Sequence, residues 1–156
     1  MTNRLLVAFD DSENAMRAVE FITKYFTADH KITLFNVLPD SAVLCAMNSP
    51  ELTPYFLSQK SSFCILEDKK KELINEAMQK AEKKLISAGF DKKNVKMKIK
   101  NRRIGIARDL ITEAQSGYDV VVLGRRGLSG IKEFLIGSVS QKVLHSVKGV
   151  SVMIVD

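Results

Sequence analysis

Strand-like apolar runs alternate with helix-like stretches along almost the whole chain, and that alternation leaves few folds open. Residues 4–9 are continuously apolar after Arg4, the mark of a strand covered on both faces. Asp11 or Ser12 can cap a helix whose apolar positions Ala15, Ala18, Val19, Ile22 and Phe26 recur at helical spacing. A second strand spans 32–38. A second helix is predicted over 68–87, where Leu73, Ala77, Ala81 and Leu85 step by four and Gly89 lies past the end. Strand 95–100, helix 106–116 before Gly117, strand 120–123, helix 138–147 and strand 150–155 complete the pattern. Buried apolar strands joined by helices predict one doubly wound five-stranded parallel sheet with helices on both faces.

At 156 residues, with no linker, repeat or low-complexity tract, residues 1–156 are expected to form a single α/β domain. Hydrophobic residues at 46% and charged residues at 27% exclude a disordered chain. No apolar stretch approaches bilayer length, and Asp10 and Asp11 stop the first run too early for a signal core. Cys45 and Cys64 lack metal-ligand spacing and are expected to be reduced, partly buried thiols. Without an export signal or a disulfide framework, the expected place of action is the cytoplasm, away from membranes.

Residues 39–66 hold all three prolines and no clean period, so short helical turns are expected there. The segment could serve as a lid, but its clusters at 42–44 and 55–57 are read as packing against the sheet.

Four of the eight glycines (Gly124, Gly127, Gly130 and Gly137) fall between the fourth strand and the last helix. Such clustering calls for positive φ or for close approach of the backbone to something else. Ser138 and Gln141 read as a capping box, with Ser138 as N-cap. A glycine-rich turn feeding a helix N-terminus makes an anion cradle suited to phosphates, and Arg125, Arg126 and Lys132 add positive charge. The first strand ends in Asp10-Asp11-Ser12, which excludes the dinucleotide fingerprint at its expected place. The P-loop is excluded too, because Lys132 is not followed by Ser or Thr.

Gly124-Arg-Arg-Gly127, nine residues, then Gly137-Ser138 resembles the G-x2-G-x9-G-[ST] signature of the ATP-binding branch of the universal stress proteins. Residues 6–10, Asn36-Val37 and residues 150–155 resemble that family's first, second and closing strands. The resemblance implies strand order 3-2-1-4-5, with the ligand crevice between strands 1 and 4. It implies that Ala8, Phe9 and Asp10 line the adenosine and that Val37 holds the adenine edge. Gly124 and Gly127 would let the backbone approach ribose and phosphates, with Arg125 and Arg126 beside them. Gly137, Ser138, Val139 and Ser140 would receive the phosphates through N–H and hydroxyl donors. The ligand so implied is ATP, or ADP or AMP, with Mg²⁺. Arg126 stands where the family often has His. Asp10 has a competing structural role as a cap of the first helix.

No catalytic residue is legible. His30 lies in a turn, His145 lies in a helix, and neither has a nucleophile beside it in the pattern. A phosphoacceptor receiver is rejected because Lys100 to Arg103 follow the third strand where an Asp is needed. The enzymatic alternative is slow ATP hydrolysis or autophosphorylation on Ser138 or Ser140. Residues 69–103 carry 13 Lys or Arg against 4 Asp or Glu, but they lack interleaved aromatics, which argues against nucleic acid. Lys96, Lys98 and Lys100 instead suit a protected sheet edge, whereas residues 150–155 form an uncharged edge that predicts a homodimer joined through the last strand.

Overall fold

Five strands, β1 (Arg4–Ala8), β2 (Lys31–Leu38), β3 (Val95–Asn101), β4 (Val120–Gly124) and β5 (Ser151–Val155), form one parallel sheet in the order β3-β2-β1-β4-β5. The computed structural model describes residues 2–38, 45, 54–125 and 136–156, apart from the Phe56 side chain. β1 is central, flanked by β2 and β4, so Leu5, Leu6 and Val7 are wholly buried. Alternation then divides them between two cores. Leu5 and Val7 pack under α1 (Glu13–Tyr25) and α2 (Pro54–Ser87). Leu6 packs under α3 (Ile106–Ala114) and α4 (Ser138–Ser146). Helices therefore cover both faces, and the predicted fold class and strand order hold.

Ser12 caps α1, its Oγ accepting from Ala15 N–H at 3.2 Å, and Ala15, Ala18, Val19 and Ile22 form the buried stripe. In α2 the expected stripe is corrected in its first half: Ile74 and Met78 are buried with Ala81 and Leu85, while Leu73 is exposed and Ala77 half-buried. Steps of four, three and four track one face of a 3.6-residue helix better than successive steps of four. Gly89, at φ +100°, reverses the chain just beyond it.

The upstream half of α2 corrects the expectation of short turns. The helix is continuous from Pro54, a residue suited to the first helical position, and its 34 residues run about 50 Å. Tyr55 is 74% exposed and Leu57 43%, so these two do not pack on the sheet. Residues 42–44 lie outside the described residues.

The thiols are also corrected: Cys45 and Cys64 form a disulfide, with Cα atoms 5.8 Å apart. The bond ties the chain after β2 to α2, and it removes unpaired thiols as an argument for a reducing compartment. Among the described residues no helix is long and apolar enough to cross a membrane.

The edge lysines have a more specific role than solvation. Lys98 and Lys100 donate to Glu113 of α3 at 2.6 and 2.9 Å, and Tyr118 Oη donates to the same carboxylate at 3.1 Å. Burial drives the Glu113 carboxyl upward, but the hydrogen bonds and charges of the two lysines outweigh it, leaving it below its ordinary 4.5. A carboxyl depressed in the folded state stabilises above its unfolded pKa, and that stability is lost as pH falls through the folded value. Glu113→Gln is expected to cost about 1–3 kcal/mol at neutral pH, less than for a fully buried pair because the lysines are half exposed. It should also flatten the loss of stability below pH 4.5. Urea melts at neutral and acid pH check this; an equal acid loss in variant and wild type would rule out the role.

Candidate functional site

Where β1 and β4 part company with their connections, the carboxyl ends of the strands open into a cavity of about 470 Å³. That volume is ordinary for a small-molecule site. Its walls come from both cores: Phe9, Ala15 and Ile74 from one side, Phe35, Val37, Leu110 and Leu123 from the other. It is thus an apolar slot straddling the sheet at the point where strand order reverses.

The β1 side is built by short-range hydrogen bonds. Phe9 N–H donates to Phe35 carbonyl at 2.8 Å, and Asn36 Nδ2 donates to Phe9 carbonyl at 2.8 Å, which extends β1–β2 pairing past Ala8. The next residue, Asp10, therefore emerges at the cavity mouth. Its Oδ1 accepts from Ser12 N–H at 3.0 Å and from the Ser12 hydroxyl. Ser12 in turn caps α1, so Asp10 buttresses the cap and lines the cavity at once.

The opposite wall is the start of α4. Its N-cap is Gly137, with no side-chain cap hydrogen bond, so Ser138 is the first helical residue and not the N-cap. Gly137 has φ −64° and ψ 154°, a conformation open to any residue, so the backbone does not require glycine here. Gly137 N–H donates to Arg125 carbonyl at 2.8 Å, and its carbonyl accepts from Gln141 N–H at 2.9 Å. By helix geometry the N–H groups of Ser138, Val139 and Ser140 have no carbonyl one turn earlier, and all three residues line the cavity. The Ser140 hydroxyl donates to Gly124 carbonyl at 2.8 Å and so braces β4 against α4.

Gly124 lines the cavity too, but its close approach is to protein. A Cβ there would stand 3.0 Å from Asn14 Cβ and 3.1 Å from the Asn14 backbone, so glycine lets α1 lie against the end of β4. On the β3–α3 connection, Asp109 accepts from Arg103 and Ile104 N–H at 2.7 and 3.2 Å. Burial pushes its carboxyl up, but these bonds outweigh that and hold it below its ordinary value. The carboxylate folds the connection back so that Ile106 reaches the cavity.

Of the twelve predicted site residues, Ala8, Phe9, Asp10, Val37, Gly124, Gly137, Ser138, Val139 and Ser140 share this one cavity. Arg125 is not among the described residues that line it; its guanidinium meets Asp156 at 2.9 Å. Arg126, Gly127 and Lys132 lie outside the described residues. Neither His30 nor His145 lines the cavity. Sequence reasoning missed Lys70, Ile74, Ile106 and Leu110. Ile106 and Leu110, four apart on the cavity side of a predicted helix, carried a signal that could have been followed. Among the described residues no group of three or more His, Cys, Asp or Glu could hold a metal ion.

The profile of the universal stress protein family matches residues 1–156. The chain belongs to that family. Solved structures of family members share its fold across nearly the full length. The universal stress protein UspA from Lactobacillus plantarum is 21% identical with a TM-score of 0.69, over 99% of this chain and 97% of that one. A universal stress protein in complex with cAMP is 20% identical, TM-score 0.61, over 99% and 97%. The universal stress protein from Archaeoglobus fulgidus in complex with dAMP is 14% identical, TM-score 0.57, over 100% and 98%. No curated protein matches the chain.

Proposed function

We propose that this universal stress protein binds an adenine nucleotide, ATP or its relatives ADP and AMP, and acts as a regulatory module. Residues 1–156 would work as one nucleotide-binding domain. The supporting observation is the cavity itself: an apolar slot whose lining brings together Asp10 after β1 and residues 137–140 at the start of α4. Two family members were solved with adenine mononucleotides, cAMP and dAMP. The base would lie against the apolar wall of Phe35, Val37, Leu110 and Leu123, at the carboxyl end of β2. Asp10 would accept from a ribose hydroxyl, and the residues 137–140 would meet the phosphates with backbone donors and the positive end of the helix dipole. Magnesium would arrive on the phosphates of the nucleotide, which need few protein ligands to hold it. It also makes the protein a homodimer through β5.

Titration calorimetry with ATP, AMP, adenosine and GTP tests the reading, together with mass spectrometry of ligand released from purified protein. ATP is expected to bind more tightly than adenosine, and the difference to shrink as salt rises, because the phosphates carry it. Affinity for ATP that is no greater than for adenosine would mean that the start of α4 is not the phosphate site. Absence of any adenine-nucleotide binding would end the proposal.

A further inference from the structure

α2 contributes to the cavity at the place where its packed half begins. Ile74 belongs to the core beneath, and one turn upstream Lys70 lines the cavity from the α1/α2 face of the sheet. Of the described lining residues it is the one cation, standing with two carboxylates, Asp10 and Asp11. Its Nζ lies 3.2 Å from Oε1 of Glu67. The Glu67 side chain is 8% exposed and that of Lys70 is 66% exposed. The buried partner is thus fixed and the ammonium is held at the surface end of the pair. An ammonium has three donors, so one bond to Glu67 leaves capacity for another oxyanion.

The charge of the lining decides what that capacity is for. A polyphosphate entering this cavity meets Asp10 and Asp11, and like charges in a concave apolar site repel more strongly than in open water. A cation in the same wall offsets that repulsion. We infer that Lys70 is a further nucleotide-binding residue, which reaches the ligand's phosphate from the α1/α2 side while the start of α4 holds it from the other. This rests on the adenine-nucleotide reading above. It also assigns the ligand's second wall to a helix that no glycine signature marks.

Lys70 is exposed but pairs with the buried Glu67, so circular dichroism and thermal melts first establish that each variant is folded, and Lys70→Arg keeps the pair. Calorimetry of the full chain with adenosine and with ATP at low salt is the test. Lys70→Ala is expected to weaken ATP about ten-fold, as for loss of one charge-assisted hydrogen bond, and to leave adenosine within about two-fold. Lys70→Glu should be weaker still, and Lys70→Arg should restore most of the affinity. As a second readout, acylation of wild-type Lys70 by an N-hydroxysuccinimide ester, followed by mass spectrometry, should be suppressed by ATP and not by adenosine. ATP affinity unchanged in Lys70→Ala overturns the assignment, as does an equal loss for adenosine and ATP, or Lys70 unprotected by saturating ATP. If wild type binds ATP and the variant does so equally, Lys70 alone is misassigned. If wild type takes up no adenine nucleotide, the reading of the cavity fails, and the role of Lys70 with it.

Discussion

Gly137→Val is expected to weaken nucleotide binding by about a hundred-fold or more and to leave the fold standing. Valine adopts φ −64° and ψ 154° without strain, and the two hydrogen bonds of Gly137, to Arg125 and from Gln141, are backbone bonds that survive the change. What changes is the space in front of α4. A branched side chain would stand between the cavity and the N–H groups of residues 138–140, and losing two charge-assisted bonds of about 1.5–3 kcal/mol each gives the expected factor. Gly124→Val is the informative contrast. Its Cβ would press on the Asn14 backbone at 3.1 Å, so this variant should lose stability and binding together. Circular dichroism, thermal melts and calorimetry separate the two. A folded Gly137→Val protein with wild-type affinity would remove α4 as the phosphate site.

Replacing both Val152 and Ile154 with lysine is expected to convert a dimer into a monomer, as read by sedimentation or light scattering. The two sheet edges differ in kind. β3 carries Lys96, Lys98 and Lys100, with the last two committed to Glu113. β5 has no charge between Ser151 and Val155 and ends at the Arg125–Asp156 ion pair. An uncharged β-branched edge is a template for antiparallel pairing with its own copy, the isologous contact of a two-fold dimer. α2 does not reach that edge, because it packs on α1 and β3 at the other side of the sheet. A wild-type protein that is already monomeric at micromolar concentration would refute the pairing.

The layers were legible because four of the strands advertised themselves by apolar runs, β3 by alternation with lysine, and the helices by their periodicity, though in α2 Ile74 and Met78 are buried where Leu73 and Ala77 were expected. The limits of the sequence fall where a contact depends on position in space. The cap of α4 was misread by one residue, since Ser138 and Gln141 fit the capping-box pattern while the extended backbone of Gly137 takes the N-cap place. Residues 54–66 show no polar–apolar period, so nothing announced that α2 begins there. Pairing of Cys45 with Cys64 requires a proximity that spacing does not encode. The register that sets Gly124 beside Val155 also brings Asp156 within reach of Arg125, a contact that no spacing announces. Lys70 was hidden in the run Lys69 to Lys71, and only the fall of α2 across the strand ends singles it out.

The central place of β1 has a consequence for synthesis on the ribosome. β2 can pair with β1 once residue 38 has emerged, but β4, the partner on the other side, begins only at Val120. About eighty residues must be made in between, which at about 5–20 residues per second takes on the order of 4–16 s. Throughout that interval the nascent chain displays one bare edge of Leu5, Leu6 and Val7, its most deeply buried strand in the finished protein. A chaperone that shields such an edge would meet this chain there. Asp10 and Gly124, which line the same cavity, come together only when that wait is over, so the cavity is among the last parts of the molecule to exist.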